Sequence, residues 1–246
     1  MENLNEIKQP DDTCGQIDLL VSPPFYEDDY VKIYNMDCLT GMIALRPFDV
    51  IVTDPPYGIG ADAKAAATGG KMGLCAMKTV YEKTNWDNER PQRTYFELMK
   101  YVSRHQIIFG GNYFADYLEA TMGWLIWVKN ANGNFSDGEL AWTSWNKAIK
   151  KYEYTWNGMI QGNMKEKEER VHPTQKPLPL MINILEDHTT PTDLICDPFM
   201  GSGTTLVAAK ALGRKAVGFE INPKYCTIAA ERLKAVQTRL IFGGSG

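Results

Sequence analysis

Near its carboxyl-terminal end the chain reads strand, tight turn, helix, strand. Asp193 to Cys196 is an apolar strand, Asp197-Pro198-Phe199-Met200-Gly201-Ser202-Gly203 is a turn rich in small residues, Thr204 to Leu212 is helical in pattern, and Lys215 to Phe219 is a second apolar strand ending at Glu220. A strand, a short turn, one helix and a strand leave room only for a right-handed crossover between parallel neighbours. That unit commits the chain to an α/β sheet, and the rest of the sequence repeats the rhythm. Val31 to Tyr34 reads as a strand followed by a helix from Cys38 to about Leu45, and Phe48 to Thr53 is a β-branched strand stopped by Asp54-Pro55-Pro56-Tyr57-Gly58. A helix over about Arg90 to Ser103, a strand Gln106 to Phe109, the turn Gly110-Gly111-Asn112 and a helix near Tyr113 to Glu119 come next. Gly123 to Lys129 reads as a buried strand, with further strands at Leu140 to Trp145 and Glu153 to Trp156. Helices are expected from about Pro177 to Asp187 and from Pro223, the latter started by Asn222-Pro223. Residues 60 to 80, rich in Ala, Gly and Lys, read as a mobile loop.

The spacing of the last unit also points to a ligand. Small residues between a strand and a helix aim backbone N–H groups at a bound molecule, and Glu220, nineteen residues after Gly201, stands where doubly wound folds put the acid that accepts from a ribose. A third fingerprint glycine is missing, because Leu206 follows Thr205, and no Gly-Lys-Ser/Thr closes the turn. A ligand with a ribose and no pyrophosphate fits better than a dinucleotide or a nucleoside triphosphate.

Asp54-Pro55-Pro56-Tyr57 falls at the carboxyl end of a strand, where open α/β sheets bind ligands. Its chemistry suits an exocyclic amine on a planar ring. Asp54 accepts one N–H, a proline carbonyl accepts the other, the Tyr57 ring stacks, and the prolines hold the geometry. The two acceptors make the nitrogen lone pair available and stabilise the positive charge that develops as it attacks. Taken together, Asp54 to Tyr57 followed downstream by Asp197 to Thr205 resembles the amino-directed DNA methyltransferases that act on adenine N6 or cytosine N4, in the order with the catalytic motif first. The resemblance also takes in Asn35-Met36-Asp37, Gly110-Gly111-Asn112 and His172-Pro173-Thr174-Gln175-Lys176-Pro177, and it spans roughly residues 31 to 235.

The resemblance implies a Rossmann-like methyltransferase fold, a mostly parallel sheet with helices on both faces, one antiparallel strand near its edge and a small target-recognition insertion at about 130–170. It implies S-adenosylmethionine as the methyl donor and DNA as the substrate, with a flipped-out adenine as the target and cytosine N4 as the alternative. The catalytic residues are then Asp54, Pro55, Pro56 and Tyr57. The cofactor residues are Asp37 at the adenine, Phe199, Gly201 and Gly203 along the methionine and ribose, Glu220 on the ribose, Asp197, Thr204 and Thr205 of the same motif, and Lys176 and Pro177 flanking the pocket. Dimers occur in the family, so a homodimer is among the expected partners. A second motif, Ser22-Pro23-Pro24-Phe25, resembles the cytosine-N4 form, but the acidic Glu27-Asp28-Asp29 follows it, a poor neighbour for a phosphate backbone.

Charge bears on the DNA expectation. The 246 residues carry a net charge of -4, which argues against nucleic acid until it is mapped. The first 30 residues hold eight acids and one base, a local -7, and the remaining 216 carry 25 bases against 22 acids, or +3. Lys147, Lys150 and Lys151, with Lys64 and Lys71 in the loop after the catalytic motif, are the candidate DNA contacts. Most of the five tryptophans between Trp124 and Trp156 are expected in the core. The five cysteines are scattered with no C-x-x-C pair, and His105, His172 and His188 are too dispersed to argue a metal site. No Pro-Cys nucleophile is present for methylation at cytosine C5. The chain lacks both a run of about 18 apolar residues and a signal-like start, so a cytoplasmic protein is expected.

Overall fold

The computed structural model describes residues 21–60, 87–129, 136–157, 160–162, 168 and 175–236. Eleven strands and five α-helices lie in these residues. In chain order they are β1 (Tyr26–Glu27), β2 (Val31–Tyr34), α1 (Cys38–Leu45), β3 (Phe48–Thr53), α2 (Arg93–Val102), β4 (Ser103–Phe109), β5 (Trp124–Val128), β6 (Gly138–Thr143), β7 (Lys150–Glu153), β8 (Trp156–Asn157), β9 (Ile160–Gln161), α3 (Leu178–His188), β10 (Leu194–Asp197), α4 (Thr204–Ala211), β11 (Lys215–Phe219) and α5 (Pro223–Lys234).

Nine strands form one sheet in the order β1-β2-β11-β10-β3-β4-β6-β5-β7, and β8 and β9 form a separate hairpin. Neighbouring residues on a strand face opposite sides, and here both sides are covered, which is why the strands read as unbroken apolar runs. Val50, Val52, Ile107 and Ile195 pack toward α3, α4 and α5, through Leu180, Leu206 and Ala229. Ile51, Ile108, Cys196 and Phe219 pack on the other face, toward α1 and α2, through Met42, Phe96 and Met99.

The helices begin where the sequence supplies partners for their first N–H groups. Asp37 caps α1 by accepting from Leu39 N at 2.8 Å. Asn222 caps α5 by accepting from Lys224 N at 3.0 Å, with Pro223 in the first turn.

The topology creates a crevice at one point. After β10 the chain turns through α4 to β11 on one side, and after β3 it passes through α2 to β4 on the other, so the connections leave β10 and β3 in opposite directions over opposite faces. Doubly wound sheets bind ligands at such a divide, beyond the carboxyl ends of the two strands. β3 ends at Thr53, immediately before Asp54, and β10 ends at Asp197.

Three expectations are corrected. Tyr113 to Glu119 is not a helix: Gly111–Phe114 makes one 3₁₀ turn, opened by Gly110 in the left-handed region at φ 65°. Two strands rather than one run antiparallel, the two-residue β1 at the edge and β6 between β4 and β5. The expected strand Glu153 to Trp156 is split into β7 and the β8–β9 hairpin, because β7 is an edge strand whose lysines point to solvent and leave no apolar pattern to read. β6 and β7, within the stretch expected to carry target recognition, are strands of the main sheet. No helix among the described residues is long and apolar enough to cross a membrane.

Candidate active site

A cavity of about 450 Å³ opens at the divide. Asp54 and Pro56 from the end of β3 line it, as do Asp197, Phe199, Gly201, Thr204 and Thr205 from the β10–α4 turn, Glu220 after β11, Asp37 after β2, and Lys176 before α3. Residues 183 positions apart in the chain thus share one space, because β2, β11, β10 and β3 are parallel neighbours with their carboxyl ends level.

The acidic end of the cavity is built around the glycine turn. Glu220 Oε1 accepts from Asn222 N at 2.8 Å and Oε2 from Gly201 N at 3.1 Å, which fixes the carboxylate against the turn. Burial raises the Glu220 carboxyl above its ordinary range, with the amides of Asn222, Gly201 and Ile221 opposing. The two glycines serve different ends. Gly201, at φ 51°, has open space where a Cβ would stand, whereas Gly203, at φ 78°, would set a Cβ 2.8 Å from that of Ala229 and is required for α5 to approach. Asp37 Oδ2 accepts from the Tyr95 hydroxyl at 3.2 Å, and the Tyr95 ring lies 5.7 Å from that of Phe199. This corner presents an acceptor and two rings to a planar base.

Asp197 is buried and bonded on one oxygen by Thr53 Oγ1 at 2.8 Å and by Phe199 N at 3.2 Å. Burial pushes its carboxyl up to about 7, against the hydroxyls of Thr205 and Thr53, and the nearby Asp54 raises it further.

At the β3 end, Asp54 holds two donors. Tyr57 Oη donates to Oδ1 at 2.5 Å and Lys176 Nζ donates to Oδ2 at 2.5 Å. The Tyr57 ring stacks on Tyr113 at 4.6 Å and meets Phe114 edge-on at 6.1 Å. The Tyr57 and Gly58 amides both donate to Asp87 Oδ1, at 2.7 and 3.0 Å, so a buried carboxylate pins the turn that follows the prolines. Lys176 also lies 3.1 Å from Glu139 Oε2, and Glu139 Oε1 lies 2.5 Å from Lys129 Nζ. Burial disfavours every charge in this group. It raises the Asp54 carboxyl, but the Lys176 ammonium is outweighed toward its charged form by Asp54 and Glu139, and Glu139 is held below its usual range by Lys176 and Lys129.

Eight of the ten cofactor residues expected from the sequence line this cavity. Pro177 instead caps α3, and Gly203 spaces α4 from α5. Pro55 and Tyr57 flank Asp54 and Pro56 without lining the cavity themselves. Ser22 is exposed ahead of the edge strand β1 and does not line the cavity. The lysines expected on DNA are not brought to it. Lys147, Lys150 and Lys151 sit at the amino-terminal end of the sheet, where Lys150 registers with Leu125 at the start of β5, and the cavity is at the other end. Lys150 is paired with Asp187 at 2.6 Å and Lys151 with Glu153 at 2.5 Å. Lys64, Lys71 and His172 lie outside the described residues. Trp127, Trp142 and Trp156 are buried, as core residues would be. Tyr95, Asp87 and Glu139 escaped sequence reasoning, since each acts through a partner at least 29 residues away. Among the described residues no three His, Cys, Asp or Glu side chains cluster as a metal site requires.

Comparison with known proteins agrees with this architecture. Residues 115–231 match the N6/N4 methylase family model, described as DNA methylase; the matched stretch takes in Asp197 to Glu220 and begins after Asp54. The chain is 32% identical to the type II methyltransferase M.HinfI of Haemophilus influenzae, over 83% of this chain and 68% of that protein. It is 27% identical to the type II methyltransferase M2.DpnII of Streptococcus pneumoniae, over 88% of this chain and 94% of that one. Among solved structures it resembles the M1.HpyAVI–SAM complex, at a TM-score of 0.56 and 24% identity over 82% of this chain and 98% of that one. It also resembles the cytosine-N4-specific PvuII DNA methyltransferase, at a TM-score of 0.56 and 16% identity over 89% and 90%. At such identities the two structures bear on the fold.

Proposed function

The chain belongs to the N6/N4 DNA methylase family and is an S-adenosylmethionine-dependent DNA methyltransferase, and from that premise we propose that it methylates the N6 amine of adenine, with Asp54 to Tyr57 as the catalytic segment. The observation that carries the assignment of the site is that Asp54 and Glu220 line one cavity. A cofactor held by its ribose at Glu220 and an amine held at Asp54 therefore meet in the same space.

The cavity's chemistry fits the cofactor. Glu220 is a fixed ribose acceptor, Tyr95, Phe199 and Asp37 form a slot for the adenine, and the open space at Gly201 leaves room beside the turn. Asp197, Thr204 and Thr205 hold the remainder of the cofactor. When bound, S-adenosylmethionine supplies a methyl group on a positively charged sulfur, open to attack by a nitrogen lone pair.

The chain's own part is to deliver and sharpen that nitrogen. An adenine inside a duplex cannot reach the crevice, so it is flipped out at a cost of a few kcal/mol. Tyr57, whose ring stacks on Tyr113, is the aromatic residue assigned to stack on the flipped base. The Asp54 carboxylate accepts one amine N–H and a carbonyl of Pro55 or Pro56 accepts the second. Both keep the lone pair directed at the methyl group and stabilise the charge growing on nitrogen. The N–C bond forms as the methyl–sulfur bond breaks, its electron pair staying on sulfur, and the cationic amine then releases one proton through the Asp54 carboxylate to solvent. Lys64 and Lys71, which follow Gly60 in sequence directly after this strand end, are the basic residues assigned to the DNA backbone.

Aspartate at the first position of the motif favours adenine; the cytosine-N4 form resembled by Ser22-Pro23-Pro24-Phe25 has serine there. Nucleoside mass analysis of DNA methylated by the purified protein tests the assignment. N6-methyldeoxyadenosine is the expected product, N4-methyldeoxycytidine overturns the choice of base, and full activity of Asp54→Ala overturns the choice of site.

A further inference from the structure

The contact between Lys176 and Asp54 poses a problem for the reaction just assigned, and Glu139 is placed to solve it. An ammonium 2.5 Å from Asp54 Oδ2 draws on the same carboxylate charge that a target nitrogen needs. As that nitrogen becomes cationic, Lys176 becomes a like charge in a desolvated site. Lys176 has a second acceptor within reach, since Glu139 Oε2 is 3.1 Å from Nζ and no longer distance has to be crossed to close that bond. Glu139 has charge to give, because Lys129 occupies only its other oxygen, Oε1, at 2.5 Å. The Lys176 side chain is only 7% exposed, so water is a poor substitute for either carboxylate.

We propose that Glu139 is a positioning residue that draws Lys176 from Asp54 when the target amine engages, so that the Asp54 carboxylate turns from an ion-pair partner into the acceptor for the amine. This rests on the assignment of Asp54 as the amine's acceptor. The ammonium shifts between two carboxylates, no proton changes hands, and the buried group stays neutral overall with Asp54, Glu139, Lys176 and Lys129 contributing two charges of each sign.

The test uses the full chain, unmethylated plasmid DNA from a methylation-deficient host and tritiated S-adenosylmethionine. Glu139→Gln keeps the shape and removes the charge, so Lys176 stays on Asp54. Its kcat is expected to fall by about tenfold or more while KM for DNA and calorimetric S-adenosylhomocysteine affinity stay within about twofold. Lys176→Met alone leaves two carboxylates facing one remaining cation and also loses activity. The charge-balanced Glu139→Gln/Lys176→Met pair is expected to be more active than Glu139→Gln, a coupling that a loss of packing does not produce. Glu139→Asp, which keeps the charge, is expected to stay within about threefold of the parent in kcat, and it serves if the Gln variant fails to fold.

A Glu139→Gln kcat within about twofold of the parent, a double variant that falls by the product of the two single losses, or a Glu139→Asp loss as deep as that of Glu139→Gln overturns the proposal. A parent protein that labels no DNA overturns instead the catalytic assignment on which it rests.

Discussion

Thr53 Oγ1 donates a buried hydrogen bond of 2.8 Å to Asp197 Oδ1, joining two residues 144 positions apart in the chain. The bond ties the carboxyl end of β3, which carries the amine site, to that of β10, which opens the cofactor turn. Each strand end is thereby set relative to the other by a side chain as well as by the sheet.

Thr53→Val removes the donor at nearly constant volume and leaves the buried Asp197 with fewer partners. Loss of such a bond costs about 1 to 3 kcal/mol. Thermal unfolding should show that loss, and methylation assays should show kcat reduced together with cofactor affinity, since both strand ends move.

Asp197 gives the protein a pH signature. Its folded carboxyl titrates at about 7 where an unburied one titrates at 3.8, so the folded state binds the proton more tightly than the unfolded chain. Stability from this group therefore declines as pH rises from about 4 to 7, and the penalty, on the order of a few kcal/mol, is fully present above that range. Asp197→Asn removes it: the variant should melt above the parent at pH 8, and the gap should narrow toward pH 5. A gap that widens on acidification contradicts the assignment. His105 and His188, whose imidazoles burial holds below their ordinary value, titrate alike in both proteins and cancel in the comparison.

Gly110 stands at φ 65°, and a Cβ there would lie 2.2 Å from the Tyr57 ring. Tyr113 and Phe114 back that ring, so it cannot retreat. Gly110→Ala should displace Tyr57 and with it the hydroxyl on Asp54. An error of about 1 Å at a reacting group can cost on the order of a hundredfold in rate. The expected result is a kcat loss of that size with calorimetric cofactor affinity unchanged.

Arg232 reaches from α5 into the cofactor turn, donating to Ser202 O at 2.7 Å and Thr204 Oγ1 at 3.0 Å, with Glu168 Oε1 at 3.1 Å as its counter-ion. Arg232→Met keeps the apolar stem and removes the cation, while Glu168 keeps the bonds it accepts from Gln175 Nε2 at 2.6 Å and Leu178 N at 2.9 Å. With those donors in place the loss of stability is expected to stay below the roughly 3 to 5 kcal/mol of a buried pair broken to leave a bare charge. Calorimetry should also show weaker cofactor binding, because the turn loses its brace.

The parts of the site that were legible in the sequence are those announced by local chemistry. Asp54-Pro55-Pro56 stops a strand, Gly201-Ser202-Gly203 opens a helix, and Glu220 closes the next strand; each signal lies within a few residues of the group it places. Lys176 is different. The resemblance put it beside the cofactor, and it does line that cavity, but its ion pairs are with Asp54 and Glu139, 122 and 37 positions away. A lysine's sequence neighbours say nothing of which distant carboxylate it will meet. Nor do the neighbours of Lys150 and Lys151, expected at DNA, show that Lys150 would stand beside Asp187 and Lys151 beside Glu153. The helix expected after Gly110 failed for another reason: the left-handed residue at its start and the short span to β5 allow one 3₁₀ turn only.

The register of β10 against β3, Ile195 beside Val50 and Cys196 beside Ile51, has a consequence for ancestry and for engineering. The two halves of the pocket touch edge to edge, and nothing in that contact records which half the ribosome made first. A gene rearranged so that the segment from α3 to α5 is translated before β2 would encode the same neighbours and the same cavity. Order along the polypeptide is here a matter of lineage, and order across the sheet is what the chemistry reads.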